Sequence, residues 1–176
     1  MILSRRQVLA GVASLAATPV CASDAPPSAA SLAQPVAQPR TISGLDITDE
    51  AGAPVLAEAW RGRWVILNLW APWCLPCRRE MPSIENLSRQ LDPERFAVVP
   101  LAFEWRGPIW VNKFYREVGI TDLPIYLGDG ENVDAVLGLS NLPTTAIVNP
   151  QGQHAFTVAG EARWDDSETL AWLRAL

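Results

Sequence analysis

Trp64-Val65-Ile66-Leu67-Asn68-Leu69-Trp70 is apolar at every position but Asn68, and it runs through Ala71-Pro72 straight into Trp73-Cys74-Leu75-Pro76-Cys77. An apolar run without alternation is the pattern of a strand buried on both faces. Beyond the cysteines, Met81, Ile84, Leu87 and Leu91 recur at helical spacing, which predicts a helix beginning at the cysteine pair. The two thiols therefore stand between a buried strand and a helix N-terminus. Three residues apart there, they can close a small disulfide ring with little backbone movement. Cys74, at the helix start, faces unpaired amide N–H groups and the positive end of the helix dipole, which stabilise a thiolate. Cys77, one turn inward, is shielded and suits a resolving thiol. Pro76 removes one N–H donor and stiffens the turn, so the Leu75-Pro76 dipeptide is expected to help set the reduction potential. An inert disulfide and half of a zinc site are the bland readings. Zinc takes four ligands, and outside the leader the chain offers two Cys and His154, so no metal is expected.

The flanking sequence extends this unit in both directions. Phe96 to Phe103 reads as a second buried strand, weakened by Pro100, which cannot donate to a ladder. Pro108 suits the first turn of a helix carrying Trp110, Val111, Phe114, Tyr115 and Val118, stopped at Gly119. Thr144 to Val148 is another strand, Asn149-Pro150-Gln151-Gly152 has the residues of a type I turn, and Gln153 to Ala159 returns from it. Asp165 can cap a last helix whose buried stripe is Leu170, Leu173 and Leu176. Upstream, Leu45, Ile47 and Val55 flank Asp49-Glu50-Ala51-Gly52 as a hairpin. Strands alternating with helices, followed by a hairpin and a final helix, give an α/β sandwich with a mixed central sheet and an N-terminal β-hairpin.

Composition agrees with one ordinary domain. The chain has 176 residues, of which 49% are hydrophobic and 19% charged, which excludes global disorder. A net charge of −5 and a pI near 4.9 argue against nucleic acid as the main partner. Lys113 is the single lysine against thirteen arginines, a bias expected from genomic base composition rather than chemistry.

Residues 1–22 read as an export signal. Arg5 and Arg6 are its only charges, an uncharged run from Val8 to Val20 follows, and Val20-Cys21-Ala22 suits cleavage after Ala22. Ser4-Arg5-Arg6-Gln7-Val8-Leu9 resembles the twin-arginine pattern of bacterial signals. A general secretory signal and an uncleaved anchor remain as alternatives. Val20 and Pro19 disfavour lipidation of Cys21, which is read as a discarded leader residue. Cleavage would take the net charge from −5 to −7 and leave two Cys, one pair for an oxidising compartment. Residues 24–40 hold four Pro and five Ala without periodicity, so residues 23–40 are expected to form an extended tether. The folded domain is then expected to span 41–176.

Trp70-Ala71-Pro72-Trp73-Cys74-Leu75-Pro76-Cys77 resembles the active-site segment of the thioredoxin superfamily. Arg78-Arg79-Glu80-Met81-Pro82 and Gly160-Glu161-Ala162-Arg163-Trp164 are similar to segments of its TlpA-like branch, exported thiol–disulfide oxidoreductases that serve cytochrome c and cytochrome oxidase maturation. The likeness runs from about Leu45 to the C-terminus. It implies a thioredoxin fold, a redox disulfide between Cys74 and Cys77, and a cis-proline element at Leu142-Pro143-Thr144. Leu142 and Pro143 would then lie beside the cysteines, where the Leu142 backbone can pair with a substrate peptide. Thioredoxins carry a buried Asp under the disulfide. Asn68 stands at that position here and cannot titrate. The resemblance moves the proton acceptor to Glu104, expected to be buried near the thiols with a raised pKa and to take the proton from Cys77.

The remaining candidates divide as follows. Trp70 and Trp73 are expected to flank the cysteines and shape a substrate-docking surface. Trp60, Trp64, Trp110 and Trp172 are read as packing residues, Trp105 as either groove or loop packing, Arg78 and Arg79 as a solvated helix face, and His154 as structural. The resulting expectation is a periplasmic, monomeric protein-disulfide reductase without cofactor. Its clients would be disulfide-bearing proteins such as apocytochrome c or copper-site assembly proteins. Its electrons would come from a membrane thiol-reductase. A DsbA-like thiol oxidant and a Cu(I)-binding assembly module stand as alternatives.

Overall fold

The computed structural model describes residues 25–176, and the leader expected at 1–22, with Cys21, lies outside the described residues. In chain order the elements are α1 (Ala29–Leu32), β1 (Ala33–Pro35), β2 (Ile47–Asp49), β3 (Trp64–Trp70), α2 (Leu75–Gln90), β4 (Phe96–Ala102), α3 (Pro108–Val118), β5 (Tyr126–Gly128), α4 (Gly130–Leu137), β6 (Thr144–Val148), β7 (His154–Ala159) and α5 (Ser167–Arg174). The strands make one mixed sheet in the order β1-β7-β6-β3-β4-β5-β2. β3 lies at its centre, parallel to β4 and antiparallel to β6. This is the expected thioredoxin-like α/β fold. Among the described residues no helix is long and apolar enough to cross a membrane.

β3 feeds two cores, as its unbroken apolar run requires. Ile66 and Trp70 pack with Met81, Ile84 and Leu87 of α2, Phe114 of α3, and Leu170 and Leu173 of α5. Val65, Leu67 and Leu69 point to the other face, against Val99, Leu101, Val133, Leu137 and Trp60. Pro100 sits inside β4 without cost for a local reason. The Phe103 amide donates to Trp70 O of β3 at 2.8 Å, so alternation turns the Pro100 nitrogen toward β5, whose pairing begins only at Leu101.

Several expectations are corrected. Residues 28–35 are not tether. Ser28 Oγ and Thr169 Oγ1 lie 3.0 Å apart, the Ala29 amide donates to Arg163 O at 3.0 Å, Ala29 is buried, and β1 pairs with β7 at the sheet edge. The partners lie more than a hundred residues away, so no local pattern announces them. The expected hairpin forms: Gly52 N donates to Asp49 O at 3.0 Å in the turn, Asp49 N to Ala53 O at 2.9 Å and Val55 N to Ile47 O at 2.8 Å across it, and β2 also extends the main sheet beside β5. The last helix is capped by Asp166, not Asp165. The Asp166 carboxylate accepts from the amides of Glu168 and Thr169 and from the Thr169 hydroxyl. His154 is buried, with Nε2 3.0 Å from Thr157 Oγ1, consistent with a structural part.

Candidate functional site

The cysteine pair is built by the end of β3 and the start of α2. Cys74 is the N-cap of α2, and its Sγ accepts from the Cys77 amide at 3.3 Å, while its carbonyl accepts from Arg78 N at 3.0 Å. Pro76 occupies the first turn, where a missing N–H is tolerated. Cys74 and Cys77 form a disulfide with Cα atoms 5.3 Å apart. Cys77 is fully buried, whereas Cys74 keeps 7% exposure and lines an open cleft of about 720 Å³. Only one sulfur is thus within reach of a second protein. The Leu142–Pro143 peptide bond is cis, and Leu142 lines the same cleft. Phe103 and the carboxylates Asp129, Glu131 and Asp134 complete its wall.

Trp73 is exposed and lines two clefts, forming the ridge between them. Trp70 does not share that task. It is fully buried, stacked on Tyr115 at 5.8 Å and tilted against Phe114 at 5.4 Å, so it supports the site from within. Trp110, read as a packing residue, stands 38% exposed on the wall of the second cleft, where its ring lies 4.1 Å from the Arg106 guanidinium carbon. Trp105 is 89% exposed and lines neither. Arg79 pairs with Glu161, while Arg78 binds Pro72 O and Glu117 and covers the Phe114 ring at 4.4 Å.

Glu104 is buried as expected, but it is paired with Arg106, and its pKa is lowered where a raised one is expected. Its Oε1 accepts from Arg106 N and Nε at 3.0 and 2.8 Å, and its Oε2 from Arg106 Nη2 at 2.8 Å. The Arg106 guanidinium holds this carboxyl below the usual carboxylate range. A second buried carboxylate, Glu80, lies one turn beyond Cys77 on α2 and is 2% exposed. Burial pushes its pKa up to about 7, against the opposing hydrogen bonds from Ala162 N at 3.1 Å and Asn68 Nδ2 at 2.9 Å. Asn68 holds the carboxylate from β3 while also donating to Thr145 Oγ1 at 3.0 Å, and its own Oδ1 has no partner. The signal for Glu80 was present in the sequence. A carboxylate three residues after Cys77 and four before Ile84 falls on the stripe that the helix buries.

Among the described residues no group of three or more His, Cys, Asp or Glu is placed to hold a metal ion. The chemistry available to the pair is thiol–disulfide exchange at Cys74, and Glu80 is a buried carboxyl with its pKa pushed up to about 7.

Comparison with known proteins agrees with this geometry. The chain is 30% identical over 134 residues to the thiol-disulfide oxidoreductase ResA of Geobacillus kaustophilus, covering 76% of this chain and 75% of that one. It is 26% identical over 115 residues to the ResA of Bacillus thuringiensis, where the match spans 65% of each chain, just short of two thirds of the relative's length. In solved structures, the DsbF homologue from Corynebacterium diphtheriae superposes with a TM-score of 0.65 at 21% identity, covering 82% of this chain and 93% of that one, a likeness of fold. Residues 37–153 match the AhpC/TSA family. On this match and the fold, the chain belongs to the AhpC/TSA family within the thioredoxin superfamily.

Proposed function

We propose that the protein is an exported thiol–disulfide oxidoreductase that reduces disulfides in other proteins. The observation that carries this reading is the asymmetry of the pair: Cys74 opens on a cleft while Cys77 is fully buried, one helical turn before a buried carboxyl whose pKa is pushed up to about 7. Such an arrangement suits two successive exchanges. The Cys74 thiolate attacks one sulfur of a partner disulfide, the other partner sulfur leaves as thiolate, and a mixed disulfide forms. Cys77 then gives its proton to Glu80 and attacks Cys74 Sγ. The second partner thiolate leaves, the partner is reduced by two electrons, and the Cys74–Cys77 disulfide is restored.

Trp73, Leu142 and Pro143 serve this reaction as the surface on which the partner segment rests. The leader read in residues 1–22 supports a periplasmic setting. There a membrane thiol-reductase would return electrons to the disulfide, with the protein acting as a monomer. The TlpA-like motifs favour apocytochrome c or copper-site assembly proteins as clients, whose cysteines must be reduced to accept haem or metal.

The test is direct. The dithiol form, freed of reductant, is mixed with an oxidised peptide bearing the haem-attachment pattern Cys-x-x-Cys-His. Stoichiometric transfer of the disulfide to Cys74–Cys77 is expected. Transfer in the opposite direction, from oxidised protein to reduced peptide, would make the protein an oxidant.

A further inference from the structure

The second cleft, on the far side of Trp73 from Cys74, is small, about 190 Å³, and its lining includes Trp73, Arg78, Arg106, Trp110, Lys113 and Glu117. That volume lies below the range of cofactor and drug-sized pockets and suits one side chain. Its charge is unlike the rest of the molecule. Three cations and one carboxylate face it in a chain of net charge −5.

Arg106 is the organised element of this cleft. The buried Glu104 carboxylate takes its backbone N–H and the Nε and Nη2 edge of its guanidinium. Burying a carboxylate is costly unless it is paired, and the effect here is to fix one arginine in place. The Trp110 ring, 4.1 Å from Cζ, fixes the guanidinium plane. The Nη1 edge has no hydrogen-bond partner among the described residues. Lys113, one turn along α3, sits 5.3 Å from the same ring and pairs with no carboxylate among the described residues. Arg78 is already held by Glu117 and Pro72 O.

We propose that this cleft is a docking subsite for a carboxylate side chain of the partner polypeptide, with Arg106 and Lys113 as its anion-binding groups. The inference rests on the reading of the protein as an enzyme that engages other proteins at Cys74. The opposite cleft presents Asp129, Glu131 and Asp134 beside Cys74 and Leu142. A segment lying across the Trp73 ridge therefore meets carboxylates on one side and cations on the other. An acidic residue is accepted on the Trp110 side and repelled on the Cys74 side, which sets the direction in which the segment lies.

The test uses sulfur-free peptides, so it is independent of redox activity. Two ten-residue peptides, with serine in place of both cysteines of a disulfide site and either two Glu or two Gln on one flank, are titrated into the oxidised full chain. Indole and amide resonances are followed by NMR. The Glu peptide is expected to shift the Trp110 and Trp73 indole signals and to bind about fivefold more tightly than the Gln peptide, the worth of a partly exposed ion pair. The E104Q/R106Q double variant, which leaves no buried charge unpaired, removes the preference. K113Q, at an exposed position, reduces it. Equal affinity of the two peptides, an undiminished preference in E104Q/R106Q, or equal shifts from acetate at the same carboxylate concentration would each overturn the proposal.

Discussion

The Asn68 amide donates to Glu80 Oε1 at 2.9 Å, tying β3 to α2 one turn beyond the disulfide. Thioredoxin-like sequences are read for an acid on the strand. Here the strand residue cannot titrate, and the acid comes from the helix, held by the strand residue instead. That relationship has a measurable consequence for stability. The folded-state pKa of Glu80, about 7, lies above its ordinary value of 4.5, so the folded chain binds more protons than the unfolded chain between those pH values. The contribution of Glu80 to stability is full below about pH 4.5 and is lost as pH rises through 7, by about 3 kcal/mol for a shift of this size. Urea denaturation of oxidised wild type and Glu80→Gln at pH 5 and pH 8.5 checks this. The variant should keep at pH 8.5 most of what wild type loses, since the unpartnered Asn68 Oδ1 can turn to accept from the new amide. Parallel pH profiles would show that Glu80 ionises as easily folded as unfolded.

The two thiols should differ sharply in accessibility once reduced. Cys74 borders the open cleft and Cys77 has no exposed surface, so alkylation of the reduced protein should modify Cys74 first, by at least about tenfold in rate, thiolate character and access both favouring it. Cys77→Ser should accumulate a mixed disulfide with a disulfide-bearing peptide, and Cys74→Ser should not. Mass spectrometry of the alkylated and trapped species distinguishes the two residues.

Trp70 and Trp73 lie three residues apart and should respond oppositely to truncation. Trp70→Ala empties the space between β3 and α3 where Tyr115 and Phe114 pack and should cost about 3–5 kcal/mol. Trp73→Ala removes a side chain that is 62% exposed and should change stability by no more than about 0.5 kcal/mol, while altering the rate of exchange at Cys74. Denaturation midpoints together with peptide-reduction rates separate the two effects.

The segment from Ser28 to Pro35 is part of the fold, and its removal should show. A chain beginning at Thr41 loses the Ser28–Thr169 contact, the Ala29 amide bond to Arg163 O and the β1 edge of the sheet. It should unfold at lower urea than the chain beginning at Ala25, by about 1–3 kcal/mol. Equal stability of the two would mean that these residues are a tether after all.

Legibility followed the range of the interactions. β3 and α2 were readable because their periodicity is local, an unbroken run for a strand buried on both faces and a helical stripe after it. The same holds for α3, bracketed by Pro108 and the left-handed Gly119. β5 and α4 left no comparable trace. β5 is three half-buried residues, and α4 buries only Val133 and Leu137. Glu104 is legible as an acid after β4, but not as one paired with Arg106. Its position after β4 is visible in the sequence, whereas the return of the Arg106 side chain onto it is a matter of loop geometry. Asp165 and Asp166 are chemically alike as caps, and the choice between them is made by the Thr169 hydroxyl that binds Asp166.

The central claim is that Cys74 and Cys77 form a reducing dithiol, and the reduction potential tests it most directly. Equilibration of the protein in graded thiol–disulfide buffers, followed by tryptophan fluorescence, with Trp73 next to Cys74 in the chain as a reporter, gives that value. A potential at or below about −220 mV, toward that of thioredoxin, is the predicted result. A value near about −120 mV, that of a strong oxidant, would contradict the account and assign the protein to disulfide formation.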